Sequence, residues 1–189
     1  MNNPERILTA LDRHLDHEIS LVLYGRAAIS LGFDGVPEAA KRTLDVDVII
    51  PVSRATAFQT DEKFWDAQEA TNQELEKDGL YITHLFEARD VFLRRDWEEH
   101  LVPITRPPTR WLRLFRPATL DLILTKMMRG DDAQDMSDIE FLIRHDRVTP
   151  GQIEVALGDA VIPDLVELRD AFGQAKPRVR EMALQARLG

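Results

Sequence analysis

With 189 residues, 44% of them hydrophobic, the chain can bury one good core, or one core with a small appended helical domain; a large multidomain enzyme is excluded. The absence of cysteine excludes disulfides, thiolate metal sites and a cysteine nucleophile, which fits a cytoplasmic setting. A formal charge of -9 opposes broad binding to a phosphate backbone but leaves room for a local basic surface.

The first residues lack a basic segment followed by an apolar run. No apolar stretch approaches the roughly 20 residues needed to span a bilayer, so the chain reads as soluble, unprocessed and without a membrane partner. After Pro4, Ile7, Leu8, Leu11 and Leu15 recur at helical spacing and predict an amphipathic packing helix. Ile19 to Tyr24 is rich in β-branched and aromatic residues and stops at Gly25, and Arg26 to Leu31 favours helix, so the segment reads as strand, tight glycine turn, helix. Residues 32 to 41 read as a loop or short lid. Thr43 to Ile50 alternates at its start and is closed by Pro51, as a strand does.

Ser53 is expected to cap a helix running to about Asn72 that buries Ala57, Phe58, Phe64 and Trp65. Gly79 precedes a strand from Leu80 to Glu87, and short strands are expected at Asp90 to Leu93, Leu101 to Ile104 and Trp111 to Phe115. From Pro117 onward the pattern is helical, with a break at Gly130-Asp131-Asp132, a capped restart at Thr149-Pro150, and further restarts marked by Pro163 and Pro177.

Chemistry concentrates first at Asp45 and Asp47. Two residues apart on a strand, they face the same way with Cα atoms roughly 6.5 to 7 Å apart. Two carboxylates so placed can converge on a hard cation; Mg²⁺ takes one or two protein carboxylates together with phosphates and waters. The apolar flanks Leu44, Val46, Val48, Ile49 and Ile50 describe a buried strand carrying two acids, against the plainer alternative of an edge strand with a polar outer face. Gly25 adds a strand-to-helix junction where backbone N–H groups and the helix dipole can hold a phosphate.

Leu23-Tyr24-Gly25-Arg26-Ala27-Ala28 followed by Arg42-Thr43-Leu44-Asp45-Val46-Asp47-Val48 resembles the motif of the polymerase-β-like nucleotidyltransferases, in the minimal bacterial branch similar to abortive-infection and toxin-antitoxin nucleotidyltransferases. The resemblance implies an α/β (α+β) fold, a mixed sheet flanked by helices over residues 1–116, followed by a helical domain over 117–189 that completes the nucleotide cleft. It implies Asp45 and Asp47 as Mg²⁺ ligands and Gly25 as a contact to the triphosphate of an NTP substrate. Arg26 stands where the family usually carries a second glycine or a serine; a guanidinium there can grip phosphate by a charged fork or block the nucleotide.

A second constellation runs from Lys126 to Asp138. Lys126 and Arg129 are neighbours on one helix and Asp135 and Asp138 on the next, which by itself describes an interhelix salt-bridge set. The resemblance implies that Lys126 neutralises triphosphate charge while Asp135 or Asp138 fixes the basic groups.

Two-metal transfer normally uses a further carboxylate on a neighbouring strand. Within Leu80 to Glu87 the polar candidates His84 and Glu87 point to opposite faces, and Asp90 lies beyond the next turn. Arg89, Arg94, Arg95, Arg106, Arg110, Arg113 and Arg116 with Trp97 and Trp111 give the middle segment a local positive bias. That is either a strip for an RNA acceptor or a set of paired arginines around core tryptophans. Two functional readings follow. In one, a Mg²⁺-dependent enzyme moves an NMP from an NTP to a hydroxyl of tRNA, protein or a small molecule. In the other, the fold has lost turnover and serves as a nucleotide-binding or protein-interaction module, with a cognate toxin or antitoxin as partner.

Overall fold

The computed structural model describes residues 1–188, apart from the side chains of Thr83, His84 and Leu188. In chain order the elements are helix α1 (Asn3–His14), strand β1 (Ile19–Tyr24), helices α2 (Gly25–Gly32) and α3 (Glu38–Lys41), strand β2 (Asp45–Ile50), and helices α4 (Ala55–Gln59) and α5 (Glu62–Leu75). Strands β3 (Tyr81–Glu87), β4 (Leu93–Arg94), β5 (Val102–Ile104) and β6 (Leu112–Arg116) follow. The remainder is helices α6 (Thr119–Lys126), α7 (Ala133–Asp146) and α8 (Pro150–Asp159), strand β7 (Ala160–Val161) and helix α9 (Val166–Leu188). Two compact units result: Met1–Glu87 with Leu101–Arg116, and Ala88–His100 with Pro117–Gly189.

The first unit is built on a five-stranded mixed sheet in the order β3-β2-β1-β6-β5. β1 runs antiparallel to β2 and parallel to β6, and β2 runs parallel to β3. Leu21, Val22 and Leu23 are almost fully buried in succession, as a central strand covered on both faces requires. α1 begins in a capping box: the Asn2 side chain accepts from the Glu5 N–H while Glu5 accepts from the Asn2 N–H. It then packs on α5 and β2 through Ile7, Leu8 and Leu11, each of which contributes about 1.5–3 kcal/mol by burial.

Asp12 on the same helix accepts the backbone N–H groups of Arg110, Trp111 and Leu112 at 2.8, 2.7 and 2.9 Å, which ties the start of β6 to α1. At the sheet edge, Asn72 of α5 acts as a substitute strand: its side chain accepts from Ile82 N–H at 2.8 Å and donates to Ile82 C=O at 3.2 Å. This occupies backbone groups that an edge strand otherwise offers to another chain.

The region after β2 differs from the single helix expected there. The chain forms a short 3-10 turn at Val52–Arg54 and then α4, and Asp61, not Ser53, caps α5 by accepting the Phe64 N–H. Phe58 and Phe64 are buried as expected, while Ala57 is exposed. Asp61 has a second role. His17, in the turn before β1, lies between Asp61 (Nε2 to Oδ2, 2.8 Å) and Asp16 (Nδ1 to Oδ1, 2.9 Å).

The hydrogen bond to Asp61, then that to Asp16, raises the His17 pKa above its ordinary 6.5. A raised folded-state pKa adds stability that is fully present below about pH 6.5 and is lost as pH rises through the folded value. The Tm difference between the wild-type protein and His17→Gln is therefore expected to be largest near pH 6 and to shrink above pH 8. A pH-independent difference would show that the imidazolium contributes nothing.

In the second unit β4 pairs antiparallel with β7, so one short strand interrupts the otherwise helical run after Pro117. Asp90 lies in a 3-10 turn, not a strand. Pro177 also departs from expectation, because it sits inside α9 and does not restart it. Phe172, Ala175, Val179 and Ala183 form a buried stripe along that helix on both sides of the proline, and their burial offsets the one backbone hydrogen bond that proline cannot donate.

Candidate active site

β1 ends at Tyr24, and Gly25 turns the chain into α2 with φ +63°, a backbone conformation that glycine adopts without steric cost. Tyr24 is directly opposite Asp47 in the β1–β2 pairing, so Asp45 lies two residues beyond that pair, beside the start of α2. A Cβ placed on Gly25 would come within 3.3 Å of Asp47 Oδ2. The glycine turn and the carboxylate strand therefore meet, and the close approach leaves space that any side chain at position 25 would fill.

The N-cap residue of α2, Tyr24, makes no capping hydrogen bond with its own side chain. The first-turn N–H groups of α2 and the positive end of its dipole are presented next to the carboxylate pair. Arg26 is half-buried on this first turn.

Asp45 and Asp47 share one face of β2 and are half-buried, while Val46, Val48 and Ile50 on the other face are in the core. Thr43 donates to Asp45 Oδ1 at 2.6 Å, which fixes the carboxylate's orientation. Tyr24 joins the same face, where its ring meets Phe86 edge to face at 5.8 Å between centroids. Burial, then the charges of Asp47 and Asp45, push the Tyr24 phenol well above the ordinary tyrosine range, so it remains a neutral O–H donor beside the two acids. Thr43 and Tyr24 both fall within the motif residues, but the sequence assigns neither a role. The signal for Thr43 was its position two residues before Asp45, on the same side of an extended chain.

The β2–β3 register decides the placement of the remaining acid. Val46 pairs with Ile82 but Val48 with Leu85, so two residues of β3 oppose Asp47. Beyond this irregularity Ile49 pairs with Phe86 and Ile50 with Glu87, which puts Glu87 on the core face of β2 and not on the face of Asp45 and Asp47. The side chain of His84 lies outside the described residues. Asp90 belongs to the second unit. Among the described residues no group of three or more His, Asp or Glu side chains is arranged to hold a metal ion.

The other predicted residues come together within the second unit. Lys126 donates to Asp135 at 2.9 Å and to Asp138 at 2.7 Å, and Arg129 Nε donates to Asp135 at 2.6 Å. Lys126, Asp135 and Asp138 are buried and Arg129 is exposed at its end. Burial raises the Asp135 carboxyl, but the bonds from Arg129 and Lys126 outweigh it and hold the group below its ordinary value.

Five of the seven arginines of the middle segment are engaged by neighbouring groups. Arg94 is bound to Asp121, Arg113 to Glu18, and Arg106 to the carbonyls of Leu31 and Phe33; Arg110 and Arg116 lie over the rings of Trp111 and Phe33. Trp97 is in the core.

A family model described as "Nucleotidyltransferase of unknown function" (DUF6036) matches residues 5–149, from the first turn of α1 to the cap of α8. The chain belongs to this nucleotidyltransferase family. No curated protein and no solved structure matches it. The fold agrees with the family, and no helix among the described residues is long and apolar enough to cross a membrane.

Nucleotidyltransferase-family membership gives the Gly25 turn a testable meaning. Gly25→Ala forces an L residue to φ +63° at a cost of about 1–2 kcal/mol. It also pushes a methyl group against Asp47. Stability measured by denaturant unfolding is expected to fall by that amount, and transfer activity is expected to fall further than the folded fraction does. An active Gly25→Ala protein would show that close approach at this position is dispensable.

Proposed function

We propose that the protein transfers an NMP group from an NTP to an acceptor hydroxyl, with Asp45 and Asp47 holding Mg²⁺ and the Gly25 turn receiving the triphosphate. The observation that supports this best is the approach of Gly25 to Asp47 at the start of α2, since it joins a helix N-terminus suited to anions to two acids that share one face. The donor set fits the metal: two carboxylates supply hard oxygen ligands, and phosphate and water complete an octahedron. When bound, Mg²⁺ neutralises phosphate charge and orients the α-phosphoryl group.

The chain's own residues do the remainder. Thr43 keeps Asp45 in one rotamer, Tyr24 excludes water and offers a neutral donor, and the first-turn N–H groups of α2 carry the anionic tail. The acceptor oxygen forms a bond to the α-phosphorus as the bond to the bridging oxygen breaks. Pyrophosphate leaves with that electron pair, and the hydroxyl proton passes to water.

The acceptor is a hydroxyl of RNA, of a protein or of a small molecule, and the likeness to minimal bacterial nucleotidyltransferases supports a place in a toxin-antitoxin or phage-defence pair. The test incubates the protein with Mg²⁺ and each α-labelled NTP in the presence of total RNA or protein. Label transfer with release of pyrophosphate is the expected result. The register that turns Glu87 away from Asp45 and Asp47 favours a second reading, a nucleotide-binding module without turnover. NTP binding that depends on Mg²⁺ but releases no pyrophosphate would establish it.

A further inference from the structure

Within the second unit, the turn from α7 to α8 and the end of α9 line an open cleft of about 740 Å³, in the size range of small-molecule sites. Its lining carries three arginines, Arg144, Arg147 and Arg187, and no acid, in a chain whose formal charge is -9. Arg144 is held by Glu140. Among the described residues, neither Arg147 nor Arg187 has an ion-pair partner. The lining also includes the apolar residues Ile143, Val148 and Pro150.

Arg147 has a further peculiarity: it is the C-cap of α7 at φ +52°, the left-handed position that glycine fills at least cost.

We propose that this cleft binds a nucleoside phosphate, either a free nucleotide or the phosphorylated end of a nucleic-acid strand. Guanidinium groups match phosphate oxygens in paired, planar hydrogen bonds. Several of them around one concave space suit a compact, multiply charged anion better than the spaced carboxylates of an acidic peptide. The apolar lining residues suit a base or sugar. The site is distinct in its residues from Asp45 and Asp47, and Pro150 and Arg187 lie outside the span matched by the family.

The experiment titrates the full chain in EDTA, at low and moderate salt, with ADP, with a short 5′-phosphorylated oligouridylate and with polyglutamate. Wild-type protein is expected to bind ADP, the oligonucleotide or both, more weakly as salt rises. ADP binding identifies a free nucleotide as the ligand, and binding of the oligonucleotide alone identifies a strand end. The variant Arg147→Gly/Arg187→Gln is expected to bind at least roughly tenfold more weakly while unfolding at the same or a higher temperature, because glycine relieves the left-handed position. Asp45→Asn/Asp47→Asn is expected to bind as the wild-type protein does. Unchanged affinity in the arginine variant, loss of binding in the carboxylate variant, binding of polyglutamate alone, or no binding at all would overturn the proposal.

Discussion

Asp47→Asn is expected to lower nucleotidyl transfer by roughly 10²- to 10³-fold, the usual cost of removing one preorganised electrostatic contact to a reacting phosphoryl or acyl group. Asparagine keeps the size of the side chain while exchanging one acceptor oxygen for a donating amide, so the face shared with Tyr24 and Phe86 stays packed, and the unfolding temperature should move little. The loss should appear in the rate of the bound complex and in the Mg²⁺ concentration needed for half-maximal rate, because the missing charge is the one beside the glycine turn. Asp45→Asn should behave alike. Measuring single-turnover transfer at saturating NTP across a range of Mg²⁺ checks both, and transfer that survives both substitutions would sink the assignment of the two carboxylates.

The largest stability effect is expected at a residue with no part in the chemistry. Asp121 is fully buried on α6 and accepts the Arg94 backbone N–H at 2.9 Å and its guanidinium at 3.1 and 2.7 Å. The bond from Asp121, the largest influence on it, raises the already high pKa of Arg94, so the guanidinium is a fixed charge there. Asp121→Ala leaves this cation half-buried without its partner and the β4 backbone with an unmet N–H, at a cost of about 3–5 kcal/mol. Over a chain of this length that is a fall in Tm on the order of 10 °C. Arg94→Met combined with Asp121→Leu should recover most of the loss, since a buried ion pair replaced by apolar groups of similar volume is often neutral. If the double variant is as unstable as the single one, the backbone hydrogen bond carries the effect and the ion pair does not.

The candidate site was legible where its parts are local. Gly25 after Tyr24 and the shared face of Asp45 and Asp47 follow from short-range spacing, and the structure reproduces them; Lys126 ends α6 and Arg129 lies in the 3-10 turn after it, not on one helix, although both reach Asp135. The polar residues that hold the molecule together were not legible. Asp12 reaches backbone groups about a hundred residues away, Asn72 closes a sheet edge, and Asp121 meets Arg94 across 27 residues. Nothing in the residues around Asp12, Asn72 or Asp121 announces those partners. Pro177 failed as a boundary for a related reason: local propensity ended the helix there, and the buried stripe around it overrides that preference.

The sequence by itself determined the mixed α/β character, the glycine junction and the paired carboxylates, because strand and helix periodicity fix which side chains share a face. The tertiary structure alone decided that Gly25 and Asp47 meet, that Thr43 bonds Asp45 and Tyr24 sits opposite Asp47, and that Glu87 pairs opposite Ile50. The reason is register: one extra residue in β3 opposite Asp47 shifts every later pairing, and only the pairing of β2 with β3 sets the face on which each side chain emerges.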